Sequence, residues 1–371
     1  MSGERANIRI IISGGGTGGH LFPAIAIANA LKRLKPEAEI LFVGATGRME
    51  MQKVPEAGYE IAGLPVAGFV RGMSLKNVSV VGKLFHSMLK ARKIIRRYKP
   101  DVVVGVGGYA SGPVLKQAQR MNIPTLIQEQ NSYAGVTNKL LAQKAGKICV
   151  AYEGMEKYFP KNKIVLTGNP VRLAFDNLGS LRAEALEHFK LDSSLPVILV
   201  LGGSLGAGTI NSSVGGGIGP VEEAGVQMIW QTGNHYYDRM RELTEAAATN
   251  NIRVTGFISR MDMAYAAADI IISRAGAATI SELALVGKPV ILVPSPNVAE
   301  DHQTHNAMAL VNREAAVLVT DAAAPAELIT TALALLKDGA RREKLSGNIR
   351  KLAIRDAADV IATEVLKLVS R

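Results

Sequence analysis

The chain has 371 residues, of which 48% are hydrophobic, and it contains a single cysteine. This length favours two domains over one, because single cores stop growing at roughly 250–300 residues. One cysteine excludes an internal disulfide framework and favours a reducing compartment. The net charge is +11. The N-terminal segment has no secretory apolar region and no stretch approaches ~18 apolar residues, so we expect no membrane-spanning helix.

Apolar runs typical of strands alternate with helical patterns along the whole chain. In the first half, strands are predicted at residues 8–13, 39–43, 102–106, 125–128, 147–151 and 163–166. In the second half, strands are predicted at residues 197–201, 226–231, 253–255, 269–273, 290–293 and 316–319. The runs are almost wholly apolar, as in parallel strands that are buried on both faces. The alternation predicts an α/β fold with two doubly wound sheets.

A glycine-rich loop, "GGGTGGH", follows the first predicted strand and ends at His20. Glycine occupies five of the six positions 14–19, which is costly unless a ligand approaches the backbone closely. An amphipathic helix follows, and Pro23 is expected in its first turn. Exposed N–H groups at the start of a helix bind phosphate or another anion.

Two further glycine loops follow apolar strands, "GVGGYASGP" at 105–113 and "GGSLGAG" at 202–208. Three anion-ready loops indicate more than one phosphorylated ligand, such as a nucleotide sugar and a phosphorylated lipid. An NAD enzyme is disfavoured, because "LFVGAT" stands where a dinucleotide-binding unit carries its ribose-binding acid. The two halves open alike, and the joint between them is expected near "TGNPVR".

Residues 71–100 carry nine Lys or Arg and no Asp or Glu, so most of the net charge lies there. Apolar residues are interleaved with these cations, which favours a membrane-surface segment over a merely solvated helix face. Nucleic acid is the rival partner, but no nucleic-acid motif is present and we expect none to bind. The predicted membrane-facing residues are Leu84, Phe85, Met88, Arg92, Lys93, Arg96 and Arg97.

Seven motifs carry a resemblance to a known family. They are "GGTGGHLFPAIAIA", "GGYASGP", "EQNSYAGVTNKLL", "GNPVR", "GGSLGA", "GFISRMDMAYAAADIIISRAGAATISELALVGKPVILVP" and "DHQTHNA". In this order they resemble the motifs of the MurG family of GT-B glycosyltransferases. The resemblance runs from about residue 8 to the C-terminal helix, and the ordered set is far more specific than any single motif.

The resemblance implies a GT-B fold, in which two Rossmann-like domains face a central cleft. Residues 1–168 would form the acceptor and membrane-side domain, and residues 169–352 the UDP-GlcNAc-binding domain. The C-terminal helix, about 353–371, could pack on either. The implied reaction is inverting GlcNAc transfer from UDP-GlcNAc to the 4-hydroxyl of MurNAc in undecaprenyl-pyrophosphoryl-MurNAc-pentapeptide. That reaction makes lipid II from lipid I in peptidoglycan synthesis, on which cell shape and division depend.

The resemblance also implies a donor site without cofactor or metal. Ser204 would hold the pyrophosphate, the main chain at Ile258 would read uracil, Glu282 would bind the ribose hydroxyls, and Gln303 the sugar. The other implied donor-binding residues are Thr17, Gly18, Gly19, Asn131, Arg172, Ala277, Ala278, Thr279, Ile280 and Ser281.

His20 is the candidate general base, because an imidazole with a pKa of ~6.5 transfers protons near neutral pH. The open alternative is that His20 binds the acceptor. The residues predicted to bind the acceptor pyrophosphate are Gly16, Gly107, Gly108, Tyr109 and Ser111.

Other polar residues have simpler interpretations. His302 and His305 follow Asp301, but no third metal ligand is in register, so we expect a helix start and no metal. Cys149 and Trp230 lie in apolar strands and are expected in the core. Asp262 and Asp269 are expected to cap helices or to face solvent.

The implied location is the cytoplasmic face of the bacterial inner membrane, with peripheral attachment to anionic lipids. Cell-wall synthesis proteins would be further partners. Three alternatives stay open: another GT-B transferase that passes a UDP-sugar to a membrane lipid, a UDP-GlcNAc 2-epimerase, and an inactive membrane scaffold. The acceptor-side stretches "EQNSYAGVTNK" and "GGYASGP" favour a member of the MurG family over another GT-B transferase. The basic amphipathic segment argues against the epimerase, and the presence of His20 and Glu282 argues against an inactive scaffold.

Overall fold

The structure is a computed structural model that describes residues 7–66, 76–171, 178–203 and 205–369. The chain divides into two compact units. The first comprises Met1–Arg172 and Ile354–Arg371, and the second comprises Leu173–Ala353. Each unit contains a parallel sheet with helices between successive strands.

The first sheet has seven strands among the described residues, in the order β3-β2-β1-β4-β5-β6-β7. Its strands are β1 (Arg9–Ser13), β2 (Glu39–Ala45), β3 (Glu60–Leu64), β4 (Val102–Gly105), β5 (Thr125–Glu129), β6 (Lys147–Val150) and β7 (Ile164–Leu166). The helices of this part of the chain are α1 (Gly18–Leu34), α2 (Glu50–Glu56), α3 (Lys76–Tyr98), α4 (Ser111–Arg120) and α5 (Val136–Ala142).

The second sheet has the order β10-β9-β8-β11-β12-β13 in the described part of its unit. Its strands are β8 (Val197–Leu201), β9 (Gln227–Gln231), β10 (Ile252–Thr255), β11 (Ile270–Ser273), β12 (Val290–Leu292) and β13 (Val317–Leu318). Its helices are α6 (Arg182–His188), α7 (Gly208–Gly216), α8 (Ile218–Glu223), α9 (Tyr237–Ala246), α10 (Met261–Ala267), α11 (Ala277–Val286), α12 (His302–Val311), α13 (Ala324–Lys337) and α14 (Gly339–Arg350).

The C-terminal helix α15 (Ala357–Val369) belongs to the first unit. Its apolar face joins the core that α1 forms with the first sheet, where Ile361 and Val365 are fully buried. On the surface, Arg33 of α1 pairs with Asp359 of α15 at 2.5 Å. The chain therefore returns to its first unit after completing the second.

Strand order reverses once in each sheet, between β1 and β4 and between β8 and β11. In the register, Ser13 stands beside Gly105 in the first sheet, and Leu201 stands beside Ser273 in the second. In each sheet, the loops that follow these two neighbouring strands therefore begin next to each other. In doubly wound folds, ligands bind at this reversal, beyond the carboxyl ends of the strands.

The core confirms the two buried-strand predictions. Cys149 and Trp230 are fully buried, and burial raises the pKa of the Cys149 thiol to about 12. A thiol in this state is protonated and unreactive at neutral pH. The Trp230 indole N–H donates to Asn211 Oδ1 at 3.0 Å, which satisfies its polar group inside the core.

Three sequence expectations were wrong. Strand β3 was not predicted, because Glu60 and Gly63 interrupt its apolar pattern at the edge of the sheet. Helix α1 begins at Gly18, so Pro23 lies in its second turn. Asp269 neither caps a helix nor faces solvent: it accepts hydrogen bonds from Arg182 at 3.1 Å and from the backbone N–H of Val197 at 2.8 Å.

Candidate functional site

The first two glycine loops meet at the strand reversal of the first sheet. An added Cβ at Gly108 would lie 2.1 Å from the carbonyl oxygen of Gly15, so only glycine allows the backbones to approach this closely. Gly107 and Gly108 both have positive φ values, 94° and 83°, which other residues rarely adopt. The contact between the loops therefore explains part of the glycine content that the sequence suggested was needed for ligands.

His20 lies in the first turn of α1, between the two loops. Its ring lies against Gly107, where an added Cβ would be 2.3 Å from Cδ2 and 2.7 Å from Nε2. Nδ1 of His20 shares a hydrogen bond with Thr17 Oγ1 at 3.0 Å. If Nδ1 carries the proton and donates to Thr17, the basic nitrogen is Nε2, on the side of the second loop.

Glu50 is a residue of this region that sequence reasoning missed. It is fully buried at the start of α2, and its carboxylate accepts hydrogen bonds from the N–H of Gly16 at 3.0 Å and of Ala45 at 2.9 Å. The expected pyrophosphate role of Gly16 cannot use an N–H that is bound to Glu50. Gly18 and Gly19, later in the same loop, form the start of α1, where backbone N–H groups have no partner inside the helix.

In the second loop, Tyr109 is exposed, whereas Ser111 is buried at the start of α4. The Ser111 hydroxyl lies 2.6 Å from the carbonyl oxygen of Ser13 and 2.9 Å from that of Gly107. It ties this loop to the end of β1. Its hydroxyl proton is thus used within the protein, and a role toward pyrophosphate would fall to its backbone N–H.

Glu129, at the end of β5, was also missed. It is buried, and its carboxylate accepts hydrogen bonds from the N–H of Asn131 at 3.1 Å, the N–H of Gly135 at 3.1 Å and Asn138 Nδ2 at 2.8 Å. Burial raises the pKa of this carboxyl, against the opposing effect of these donors. Glu129 therefore folds the 131–135 loop and fixes the backbone of Asn131. A charged residue that ends an apolar strand was the available sequence signal.

In the second unit, the third glycine loop follows β8 at the strand reversal. Gly206 has a φ of 81°, and an added Cβ would lie 2.4 Å from the carbonyl oxygen of Thr232. Gly233 approaches the backbone of Gly206 from the loop after β9 in the same way. The loop leads directly into α7, whose first N–H groups have no partner inside the helix.

Helix α11 begins beside this loop, after β11. Ala277, Ala278 and Thr279 form its first turn, where the helix dipole favours anions. Ile280 differs: its side chain is buried and its N–H donates to the Gly276 carbonyl at 2.9 Å, so it offers no donor to a ligand.

Glu282 lies one turn further along α11, on the half-exposed face that it shares with Ala278. Its carboxylate accepts a hydrogen bond from the Tyr265 hydroxyl at 3.4 Å. Tyr265 is fully buried, and burial next to the Glu282 carboxylate raises its pKa well above the ordinary value. The tyrosine therefore stays protonated and orients the carboxylate, which can still accept hydroxyl donors.

Gln303, in the first turn of α12, bridges two loops of the second unit. Its Oε1 accepts hydrogen bonds from the N–H of Ala275 at 3.2 Å and from the N–H of Ser295 at 2.9 Å. Because both bonds use the carbonyl oxygen, they leave the amide nitrogen as the group that can donate to a sugar hydroxyl.

The remaining predicted site residues have various positions. Ile258 is buried in the loop after β10, so only its main chain can face a ligand. Ser281 donates to the Ala277 carbonyl at 3.1 Å. Arg172 and Ser204 lie outside the described residues. Within those residues, no group of three or more His, Cys, Asp or Glu side chains is arranged to hold a metal ion.

The two sheets, each with glycine loops at its strand reversal, define the GT-B class of nucleotide-sugar glycosyltransferases. Family models match both units: the glycosyltransferase family 28 N-terminal domain over residues 10–150 and the family 28 C-terminal domain over residues 197–361. The chain therefore belongs to glycosyltransferase family 28 and, within it, to the MurG family whose motifs its sequence carries.

Named relatives agree with this assignment. A protein of Phocaeicola vulgatus is 62% identical over 98% of this chain and 97% of its own length. It is named UDP-N-acetylglucosamine–N-acetylmuramyl-(pentapeptide) pyrophosphoryl-undecaprenol N-acetylglucosamine transferase. The crystal structure of Acinetobacter baumannii MurG matches with a TM-score of 0.79 and 28% identity, over 97% of this chain and 99% of that one.

A UDP-GlcNAc 2-epimerase from Neisseria meningitidis, bound to UDP-GlcNAc, matches with a TM-score of 0.66 over 97% of this chain and all of that chain. The two sequences are only 14% identical. This similarity therefore shows that the fold is shared, and it says nothing about the reaction of this chain.

Proposed function

We propose that this protein is the hexosyltransferase that moves GlcNAc from UDP-GlcNAc to undecaprenyl-pyrophosphoryl-MurNAc-pentapeptide, and so converts lipid I into lipid II for peptidoglycan synthesis. The observation that carries this proposal is 62% identity, along almost the entire chain, to a transferase of that name. Anion-ready loops at the strand reversal of both sheets suit a reaction in which donor and acceptor each carry a pyrophosphate.

In the proposed donor site, the pyrophosphate lies against the first turns of α7 and α11. Ala277, Ala278 and Thr279 supply N–H groups there. Glu282, oriented by Tyr265, accepts the ribose hydroxyls. The amide nitrogen of Gln303 donates to a hydroxyl of GlcNAc, because its oxygen is already bound to backbone N–H groups.

The reaction inverts the anomeric carbon. The 4-hydroxyl oxygen of MurNAc forms the new bond to C1 of GlcNAc as the bond from C1 to the β-phosphate oxygen breaks. The electron pair of the broken bond leaves with UDP, and the hydroxyl proton passes to a base. His20 is the base in this proposal, because Thr17 can hold its Nδ1 and direct Nε2 toward the second glycine loop.

UDP departs with additional negative charge, which needs stabilisation. N–H groups and helix dipoles can provide it without a metal, provided that they are already aimed at the leaving oxygen. We therefore propose metal-independent transfer. The test is the conversion of lipid I and UDP-GlcNAc into a β-linked disaccharide, with and without EDTA. A product that survives EDTA supports the proposal, whereas activity lost in EDTA and restored by one divalent cation contradicts it.

Two substitutions test the assigned roles. His20→Ala should lower kcat by about 10²–10⁴-fold, the usual contribution of a general base, with a much smaller change in the donor KM. Equal losses in kcat and donor affinity would instead indicate a binding role. Glu282→Ala should raise the donor KM by about 10–100-fold, as the loss of hydrogen bonds to a charged group predicts. An unchanged KM would remove Glu282 from the ribose site.

We also propose that α3 holds the protein on anionic lipids at the cytoplasmic face of the inner membrane. Phe85 is 68% and Leu89 is 52% exposed, although large apolar side chains are normally buried. The same exposed face continues at helical spacing with Arg92, Lys93, Arg96 and Arg97, while the opposite face packs on the core. Among the described residues, no helix is both long and apolar enough to cross a bilayer.

Vesicle sedimentation tests the membrane proposal. Replacement of Arg92, Lys93, Arg96 and Arg97 by Gln should weaken binding to phosphatidylglycerol vesicles and reduce its salt dependence, since each cation contributes about 1 kcal/mol. Lys157→Gln with Lys161→Gln, which removes exposed charges elsewhere on the unit, should have little effect. Unchanged binding of the α3 variant would contradict the proposal. We propose that cell-wall synthesis proteins bind this protein while it is attached to the membrane.

A further inference from the structure

A second concave region of the second unit lies away from the strand reversal. It is bounded by residues just before β11 and β12, including Asp269 and Lys288, and by one face of α14. These are the amino ends of the strands, whereas the third glycine loop and the start of α11 lie at the carboxyl ends. The cavity has a volume of about 430 Å³, which lies within the range of small-molecule sites.

Three cationic side chains line this cavity: Lys288, Arg342 and Arg350. Arg342, Ser346 and Arg350 recur every four residues along α14, so they share one face of the helix. In the described part of the chain, neither arginine forms an ion pair with an acidic residue. Nε of Arg342 is buried and has no hydrogen-bond partner there, which is costly for a donor removed from water.

The acidic side chains at the cavity do not neutralise these cations. Asp269 already accepts hydrogen bonds from Arg182 at 3.1 Å and from the N–H of Val197 at 2.8 Å. Glu343 lines the cavity but is exposed. The net local charge is therefore positive.

The hydrogen bonds and the pKa of Lys288 also favour an anion in this cavity. Its ammonium donates to the carbonyl of Ala266 at 3.0 Å and to that of Ala268, so one of its three protons is available to a ligand. Burial lowers its pKa to about 8, with contributions from Arg182 and Arg350 that Asp269 partly opposes. Cations that are crowded together in this way favour a bound anion, which would relieve their repulsion.

We propose that this cavity is a binding site for a phosphate-class anion. The guanidinium groups of Arg342 and Arg350 hold the anion, because their donor geometry matches phosphate oxygens. Lys288 and the Ser346 hydroxyl complete the set of donors. The site is separate from the proposed donor site, which lies at the carboxyl ends of the strands of the same sheet.

The test is calorimetric titration of the full chain with inorganic phosphate and with pyrophosphate. Arg342→Gln combined with Arg350→Gln should weaken pyrophosphate binding at this site at least tenfold. Arg341→Gln is the matched control, since Arg341 lies on the same helix but does not line the cavity. The affinity of this variant for pyrophosphate should stay within twofold of that of the parent. UDP affinity should be equal in all three proteins, which shows that the unit remains folded.

Two results would overturn the proposal. One is a parent titration that is indistinguishable from that of the double variant. The other is an equal loss in Arg341→Gln, which would indicate unspecific attraction to a basic surface.

A further experiment with phosphatidylglycerol vesicles distinguishes two sources of the phosphate. A loss of vesicle binding in the double variant identifies a lipid headgroup as the source, and a loss confined to the soluble anions identifies a free metabolite.

Proton uptake gives an independent readout. A bound anion should return the pKa of Lys288 from about 8 toward its ordinary value, so binding at pH 8 should take up as much as about half a proton per molecule. The charged groups that face Lys288 are Arg182 from α6, Asp269 before β11, and Arg342, Glu343 and Arg350 from α14. Titrations at pH 8 in two buffers of different ionisation enthalpy measure the uptake. Equal heats in both buffers would contradict the assignment of Lys288 to the site.

Discussion

The ring of His20 rests against the backbone of Gly107, so closely that a Cβ on Gly107 would stand 2.3 Å from His20 Cδ2. One residue comes from the loop after β1 and the other from the loop after β4. The two glycine loops are thus not independent anion sites, because the second sets the position of the candidate base in the first.

Gly107→Ala should therefore disable His20 without removing it. The methyl group would displace the imidazole, and the φ of 94° would add about 1–2 kcal/mol of backbone strain. We expect kcat to fall at least tenfold, with a smaller change in the KM for UDP-GlcNAc. Gly58→Ala is the control for strain alone, because Gly58 has a φ of 84° and open space around its Cα. A similar loss of kcat in both variants would contradict the steric explanation.

Glu129→Gln tests whether a buried carboxylate shapes the acceptor-side loop. Both oxygens of Glu129 accept hydrogen bonds from N–H donors. In Glu129→Gln an NH₂ group replaces one of these oxygens, so it must face at least one N–H donor that it cannot bond. We expect a loss of about 1–3 kcal/mol in the free energy of unfolding, as for a buried group left unsatisfied.

The same variant should lower activity, because the backbone of Asn131 loses its anchor. Denaturant unfolding and steady-state kinetics provide the two measurements. Glu156→Gln serves as the control, since Glu156 is exposed in the same unit and its replacement should change stability by less than about 0.5 kcal/mol. Wild-type stability in Glu129→Gln would show that the hydrogen bonds to Asn131 and Gly135 do not hold the loop.

The sequence predicted the buried strands well because their signal is local. The apolar run of β8 begins and ends where the pattern does. Strand β3 escaped because it forms an edge strand with a half-exposed face, and such a strand needs no continuous apolar run.

Functional residues also differ in whether a local sequence pattern reveals them. The glycine loops and His20 are visible in the sequence because glycine is unusual in such density. Glu50 is not, because its partner Gly16 lies 34 positions away, and no local pattern reveals a carboxylate that folding brings beneath a loop. The closeness of Gly107 and His20 likewise depends on β1 and β4 being neighbours in the sheet.

Asp321 connects three segments near the proposed donor site. It accepts a hydrogen bond from the Thr209 hydroxyl at 2.9 Å, in the first turn of α7, and it pairs with Arg274 at the end of β11. Arg274 also donates to the carbonyls of Val293 and Pro294 at 3.1 and 3.2 Å. This cluster fixes the start of α7 relative to the end of β11, and both flank the proposed pyrophosphate position.

Asp321→Asn should raise the KM for UDP-GlcNAc severalfold and lower the free energy of unfolding by about 1–3 kcal/mol, because Arg274 is then left partly buried and unpaired. Steady-state kinetics and denaturant unfolding measure the two effects. Glu314→Gln removes an exposed pair with Lys344 and should cost under about 1 kcal/mol with no change in KM. An unchanged donor KM in Asp321→Asn would separate the cluster from donor binding.

Lys288 gives the fold a specific dependence on pH. Its pKa is about 8 in the folded protein and 10.5 in the reference state. Between these values the unfolded chain binds the proton and the folded chain does not, so stability rises with pH. The cost of charging Lys288 is therefore fully present below pH 8 and is lost as pH rises to 10.5.

Comparison with Lys288→Met isolates this effect from the other groups that titrate at high pH. Between pH 7.5 and 9.5, the free energy of unfolding of the parent should rise by about 2 kcal/mol relative to the variant, from 1.36 kcal/mol per pKa unit. Both proteins are to be unfolded by denaturant in buffers free of phosphate, because an anion near Lys288 would raise its pKa and reduce the slope. A difference that stays constant with pH would mean that neither burial nor the neighbouring Arg182 and Arg350 lowers the pKa of Lys288.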